Sequence, residues 1–218
     1  MRIMVVSSAF YPDNYHINQM VQDLAAHGHT VKVLTGQPDY ATGLVPKEYK
    51  WFRKYHDFLG PVEIWRAPII ARRKGAIMRF FSYLSFIISG SMLALFKKWP
   101  EFDVIYIWGV SPITMAIPAI FLKKRYKKPL FFYCLDLWPE SMKAFKVREG
   151  NPVFKAVKIL CKWIYKQFDI VAVTSEPFID YINKVNGYPR KKIVYLPQYG
   201  ADNYLEKDLT AKDARPGS

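Results

Sequence analysis

The stretch FFYCLDLWPES, residues 131–141, ends an aromatic run on the carboxylate Asp136 and then sets Trp138, Pro139 and a second acid, Glu140, in close succession. The run reads as a buried strand. An acid at its exit either opens into a cleft, where polar groups belong, or caps the helix that Pro139 would start. Glu140 falls in the first turn of that helix, where an acid complements the helix dipole. A second candidate group lies near the amino terminus. Asn14, Tyr15 and His16 stand just before a helix, whose N-terminus favours anionic groups; ordinary capping by Asp13 or Asn14 is the alternative.

Several reaction types lack the residues they need. No G-x-G-x-x-G follows the first strand, and no P-loop or G-x-S-x-G turn occurs. Cys134 and Cys161 stand apart, with no C-x-x-C and no clustered histidines. They read as reduced core thiols of a cytosolic protein, and neither a metal nor another cofactor is expected. MRIMVVSSAFYP reads as a first strand, not as a cleavable leader.

The elements that must position these residues follow a βαβ rhythm. Apolar runs at 3–7, 30–34, 62–66, 104–108, 130–135, 170–174 and 193–196 predict strands. Helical patterns lie near 15–27, 76–98, 112–126, 150–167 and 176–186. Runs such as DVIYIW and LFFYC are apolar without alternation, as strands buried on both faces should be. The expected fold is α/β: a Rossmann-like, doubly wound parallel sheet of about seven strands with helices on both sides. Ligands of such sheets collect at the carboxyl ends of the strands. Candidates therefore come from the exits at 12–18, 36–43, 109–112, 136 and 174–177. After the fourth strand Ser111 is the expected N-cap and Pro112 the first helical residue, with a kink at Pro118 inside the helix.

Charge bounds the partners. The 218 residues carry 32 Lys+Arg against 18 Asp+Glu, a net +14. That excess attracts something anionic. No helix-turn-helix, zinc-finger, RNA-recognition or KH pattern is present, so nucleic acid is not the expected partner. The stretch 80–96 carries no charge and is bracketed by Arg72, Arg73, Lys74 and Arg79 before it and Lys97 and Lys98 after it. It reads as a buried crossover helix or as a helix dipped in lipid with its basic ends on anionic headgroups. In the helix near 150–167, Phe154, Val157, Cys161, Ile164 and Phe168 form one apolar face. Lys155, Lys158, Lys162 and Lys166 make a cationic stripe beside it, read either as a solvated face or as a contact with an anionic membrane surface.

Three segments in order, FYPDNYHINQMVQDLAAHGHTVKVLTGQPDYATG, DLWPES and VTSEPFIDYINKVNGYPRKKIVYLPQYGAD, resemble the N-terminal half of family 4 glycosyltransferases. The resemblance is to the bacterial branch that builds O-antigen, capsule or exopolysaccharide and includes N-acetylfucosamine transferases. It implies the N-terminal, acceptor-binding domain of a GT-B fold, over residues 1–202, with 203–218 leading into an interdomain linker. It further implies a retaining, metal-independent enzyme whose second domain binds the nucleotide-sugar donor through a glutamate pair. That second domain is expected to be absent from this chain, which would then be inactive alone. Relatives approach the donor diphosphate with glycines in the first loop; here Asn14 or His16 would stand in. Asp136 takes the place where many relatives present a histidine, as a base for the acceptor hydroxyl or an anchor for a sugar hydroxyl. Ser111, Tyr15, Trp138 and Glu140 are further candidates for acceptor binding, with Trp138 offering a ring face to a sugar.

The implied parent takes a sugar from a nucleotide sugar, a UDP-N-acetyl-sugar by the resemblance, to a polyprenyl-diphosphate-linked glycan. It would sit in the cytoplasm, peripheral to the inner face of the bacterial cell membrane. The alternative is a stand-alone membrane-recruiting subunit that presents the acceptor to a separate catalytic partner.

Overall fold

The run RIMVVS sits at the centre of the sheet because its last four side chains are buried on both faces. The computed structural model describes residues 1–50, 53–145 and 147–198; the expected linker at 203–218 lies outside them. The strands are β1 (Arg2–Ser7), β2 (Thr30–Gly36), β3 (His56–Leu59), β4 (Val62–Ala67), β5 (Val104–Gly109), β6 (Leu130–Cys134), β7 (Ile170–Val173) and β8 (Ile193–Tyr195). The helices are α1 (His16–Ala26), α2 (Ala76–Phe96), α3 (Ile117–Tyr126), α4 (Pro152–Tyr165) and α5 (Glu176–Asn186).

The sheet runs β3-β4-β2-β1-β5-β6-β7-β8. Every pairing is parallel except β3 with β4. The sequence led to about seven strands, and the eighth is β3. HDFL has no buried residue and carries no core signal. It forms because Gly60, at φ 56°, turns the chain back onto β4, where Asp57 pairs with the fully buried Arg66 at 3.3 Å.

Two apolar clusters fill the two faces of the sheet. Residues of α2, α3, α4 and α5 build one, with Leu34, Ile107, Phe132 and Val173. Residues of α1 build the other, with Val5, Val33, Ile64 and Trp108. Between β5 and β6 the backbones come very close: a Cβ on Gly109 would lie 2.4 Å from the carbonyl oxygen of Tyr133.

The helix expected over 112–126 is two pieces. A 3-10 turn (Ile113–Ala116) precedes α3, so Pro118 lies in the first turn of α3, where its missing N–H is not needed. No proline is left in the interior to kink it. Ser111 caps neither piece; its hydroxyl bonds elsewhere, as described below. Beyond Pro139 the chain forms only a 3-10 segment, Glu140–Phe145.

The helix α2 connects β4 to β5, as a crossover should, but it is not buried all round. Ser82, Phe86, Gly90, Ser91 and Ala94 face inward. Ile77, Phe81, Leu84, Ile88, Met92 and Leu95, spaced by threes and fours, are exposed; Ile77 is 72% and Ile88 53% accessible. By length and composition this is the one helix among the described residues able to cross a membrane. Five of its 21 residues are nevertheless buried in the protein core.

Candidate functional site

The carboxyl ends of β1, β2, β5 and β6 open into one cleft of about 300 Å³. Its floor is the exit of β1 at Ser8–Phe10, and its walls come from the exits of β2 and β5, from residues 69–72 and from the first turns of α2. The position follows from the topology. The chain winds away from β1 in opposite directions through β2 and β5, and the loops at that reversal part to leave a crevice.

Asp136 lines this cleft. One carboxylate oxygen, Oδ2, accepts hydrogen bonds from the Ser111 amide and the Ser111 hydroxyl, both at 2.8 Å. The Trp138 indole N–H donates to the same hydroxyl at 3.1 Å. Among the described residues, Oδ1 has no protein partner. Asp136 therefore caps no helix; it ties the exit of β6 to the exit of β5 through one oxygen and keeps the other unpaired in a residue that lines the cleft.

Around Tyr15 the geometry departs from the expectation. Tyr15 lines the cleft, whereas Asn14 and His16 on either side of it are exposed and do not. Neither Asp13 nor Asn14 caps α1; Tyr15 occupies the N-cap without a side-chain bond. The loop is held instead by Asn18, whose side chain accepts from the Tyr11 amide at 3.0 Å and donates to the Asp13 carbonyl at 2.7 Å. The Tyr15 hydroxyl is buried and lacks a hydrogen-bond partner, and burial pushes its ionisation well above the ordinary tyrosine value. Its ring meets Tyr40 edge-on, with centroids 5.5 Å apart.

The opposite wall carries the cations. Arg72 donates from Nη2 to the Tyr83 hydroxyl at 3.0 Å, and its guanidinium lies 5.1 Å from the Tyr40 ring centre and 5.5 Å from that of Tyr83. Its backbone N–H donates to Asp39 Oδ2 at 2.8 Å, and the Ser82 hydroxyl donates to the same oxygen at 3.4 Å. Burial raises the Asp39 carboxyl above its ordinary value despite these bonds. Arg79 lines the cleft beside Ser82 and Tyr83. Among the described residues, neither guanidinium has a carboxylate within ion-pair distance.

Arg72 and Arg79, expected at a membrane, thus stand in the cleft wall, while Arg73 and Lys74 are exposed. Trp138 packs against the edge of the core and reaches the site through Ser111. Glu140 lies outside the cleft lining. It accepts from the Tyr181 hydroxyl at 3.0 Å and pairs with Lys143 at 2.7 Å. On α4, Lys155 and Lys162 are exposed and Lys158 partly so; Lys166, just past its end, is exposed, and so are Ile159 and Trp163 among them.

Sequence reasoning missed Asp39, Tyr40 and Tyr83. The first two lie in the exit GQPDYATG, already marked by its place after a strand. Tyr83 sits in an apolar helix, where an aromatic residue reads as core. No group of three or more metal-ligating side chains gathers among the described residues.

Residues 14–198 match the family described as Glycosyltransferase Family 4. Over 126 residues the chain is 28% identical to the putative colanic acid biosynthesis glycosyl transferase WcaI of Escherichia coli (strain K12), a match covering 55% of this chain and 30% of that protein. In three dimensions it is similar to a sucrose-phosphate synthase chain from Thermosynechococcus elongatus, with a TM-score of 0.57 at 13% identity over 94% of this chain and 93% of that one. At such identity the likeness concerns the fold alone.

Proposed function

The chain belongs to glycosyltransferase family 4, and from that premise we propose that it is the acceptor-binding, membrane-docking domain of a retaining glycosyltransferase. The parent enzyme moves a sugar from a nucleotide sugar, a UDP-N-acetyl-sugar in this reading, to a glycan on polyprenyl diphosphate. The product is a cell-surface polysaccharide of the O-antigen or capsule kind. The domain docks at the cytoplasmic face of the membrane and lacks activity by itself, because nucleotide recognition falls to a second domain.

The observation that carries this reading is Asp136. Asp136 lines the cleft; among the described residues its Oδ1 has no partner, while Ser111, itself held by Trp138, fixes Oδ2. A carboxylate so held can accept the proton of an acceptor hydroxyl, or anchor that hydroxyl, without moving. The start of α1 supports a donor diphosphate nearby: its first turn holds no acid and no side-chain cap. The Asn18 amide bonds the Tyr15 carbonyl at 3.0 Å, which leaves the amides of His16 and Ile17 to favour an anion. Membrane docking is supported by the exposed apolar face of α2 and by the lysines, Ile159 and Trp163 on α4.

The test is transfer from radiolabelled UDP-N-acetylglucosamine to lipid-linked acceptor. Transfer by the chain joined to a family 4 donor domain, abolished by Asp136→Asn, supports the reading. Transfer by the 218-residue chain alone overturns the division of labour, and undiminished transfer by Asp136→Asn overturns the role of that residue.

A further inference from the structure

The helix α2 is a partition. On one side Arg79, Ser82 and Tyr83 face the cleft. On the other, Phe81, Leu84, Ile88 and Met92 form an outer apolar groove with Pro68 and Ile70. Residues 68–72 complete the wall, Ile69 and Arg72 facing the cleft and Pro68 and Ile70 the groove. Serine side chains stitch the two parts together. Ser85 Oγ accepts from the Ile70 amide at 2.9 Å, and Ser82 Oγ donates to Asp39 inside the cleft. The end of the wall is the exposed basic turn of Arg73 and Lys74.

The cleft also holds Asp13, Asp39 and Asp136, but its two guanidiniums lie together on the wall that α2 and residues 68–72 form, with the apolar groove behind it. Two arginines separated from an apolar groove by a single helix, about 10 Å across, suit a ligand that is anionic at one end and apolar at the other. We propose that Arg72 and Arg79 bind the diphosphate of a prenyl-diphosphate lipid, whose chain passes over the Arg73–Lys74 rim to the outer face of α2. The proposal rests on the lipid-linked acceptor reading above and assigns the site within it. Both guanidiniums are free to take an anion, since no carboxylate pairs with either among the described residues. Tyr40 and Tyr83 hold Arg72 in place, so little side-chain entropy is lost when phosphate arrives. The buried, partnerless Tyr15 hydroxyl in the same cleft supplies a further donor. Arg72 and Arg79 are then headgroup ligands, and Arg73 and Lys74 remain to meet the bilayer surface.

The probes are farnesyl diphosphate, inorganic diphosphate and farnesol, measured by calorimetry on the 218-residue chain, with flotation on phosphatidylglycerol vesicles in parallel. Wild type should bind farnesyl diphosphate at least about tenfold more tightly than either half-ligand. Arg72→Gln and Arg79→Gln should each weaken both diphosphates about tenfold and leave flotation unchanged. Ile88→Asp, at an exposed position, should remove the advantage of the farnesyl chain and leave inorganic diphosphate binding as it was. Arg79→Lys, which keeps the charge, should retain more affinity than Arg79→Gln and guards against a merely structural loss.

If wild type binds no farnesyl diphosphate, the acceptor reading and this site fall together. If wild type binds it and both arginine variants bind it equally well, only the site assignment falls. Loss of flotation in the arginine variants, with diphosphate binding intact, would place these residues on bulk lipid and overturn the proposal.

Discussion

Ser111 gives Asp136 two hydrogen bonds, one from its amide and one from its hydroxyl, each 2.8 Å long and both to the same oxygen. The two residues leave neighbouring strands, so the pair locks the exits of β5 and β6 together. It also fixes which oxygen of the acid stays available.

Replacing Asp136 separates its two tasks. Asp136→Asn can still accept from Ser111, so the thermal midpoint should shift little. Transfer by the donor-domain fusion should fall by roughly 10²–10⁴, the usual worth of a positioned base. Asp136→Ala also strands the Ser111 amide and should cost a further 1–3 kcal/mol, roughly, of stability. Urea melts of both variants check the stability half.

Gly109 has no room for a side chain. A methyl there would sit 2.4 Å from the Tyr133 carbonyl oxygen, a backbone atom that cannot swing aside. Gly109→Ala should cost about 3 kcal/mol or more through overpacking between β5 and β6. Gly28→Ala is the control: nothing lies within 4 Å, but φ is 81°, so about 1–2 kcal/mol is expected from the left-handed backbone alone. Equal losses in denaturant titrations would contradict this ordering.

Asp39 is a carboxyl whose folded value lies above the ordinary 3.8, chiefly because it is buried. Over the interval between its unfolded and folded values the native state binds more protons than the unfolded one. Stability therefore rises as pH falls through that interval, and burial of the charge opposes folding above it. Asp39→Asn, which can still accept from the Arg72 amide, should raise the melting temperature at pH 7. The gain should shrink as pH drops toward 3.8. A variant that melts lower at pH 7 would show that the carboxylate charge is compensated in the native cleft.

The lysines of α4 should act through charge. With about 1 kcal/mol per basic residue near an anionic surface, reversing Lys155, Lys158 and Lys162 to Glu should weaken flotation on phosphatidylglycerol vesicles more than a hundredfold. Salt should weaken wild type in the same direction. Unchanged flotation of the triple variant would remove α4 from the docking surface and leave α2.

Much of the architecture was legible without coordinates. Apolar runs such as VIYIW and LFFYC can be buried only on both faces, which demands a parallel sheet wrapped by helices. The edge strand β3 was not legible, because no apolar pattern marks it: it is held by the turn at Gly60, by pairing with β4 and by Asp57 against the buried Arg66. Pro118 was misplaced for a related reason. Periodicity marks a helical stretch but not which turn is 3-10, and that choice moves a proline from the interior to the first turn.

By itself the sequence determined the fold class, the family resemblance and the strand exits from which a site could be built, because hydrophobic period and exit chemistry are local properties. Only the tertiary structure decided which exits meet. It brought Asp136 to Ser111 and Tyr15 to Tyr40, turned Asn14, His16 and Glu140 away, and drew Arg72 and Arg79 from an expected membrane face into the cleft. A side chain's direction depends on where its element docks, and docking is settled by packing between residues far apart in the chain.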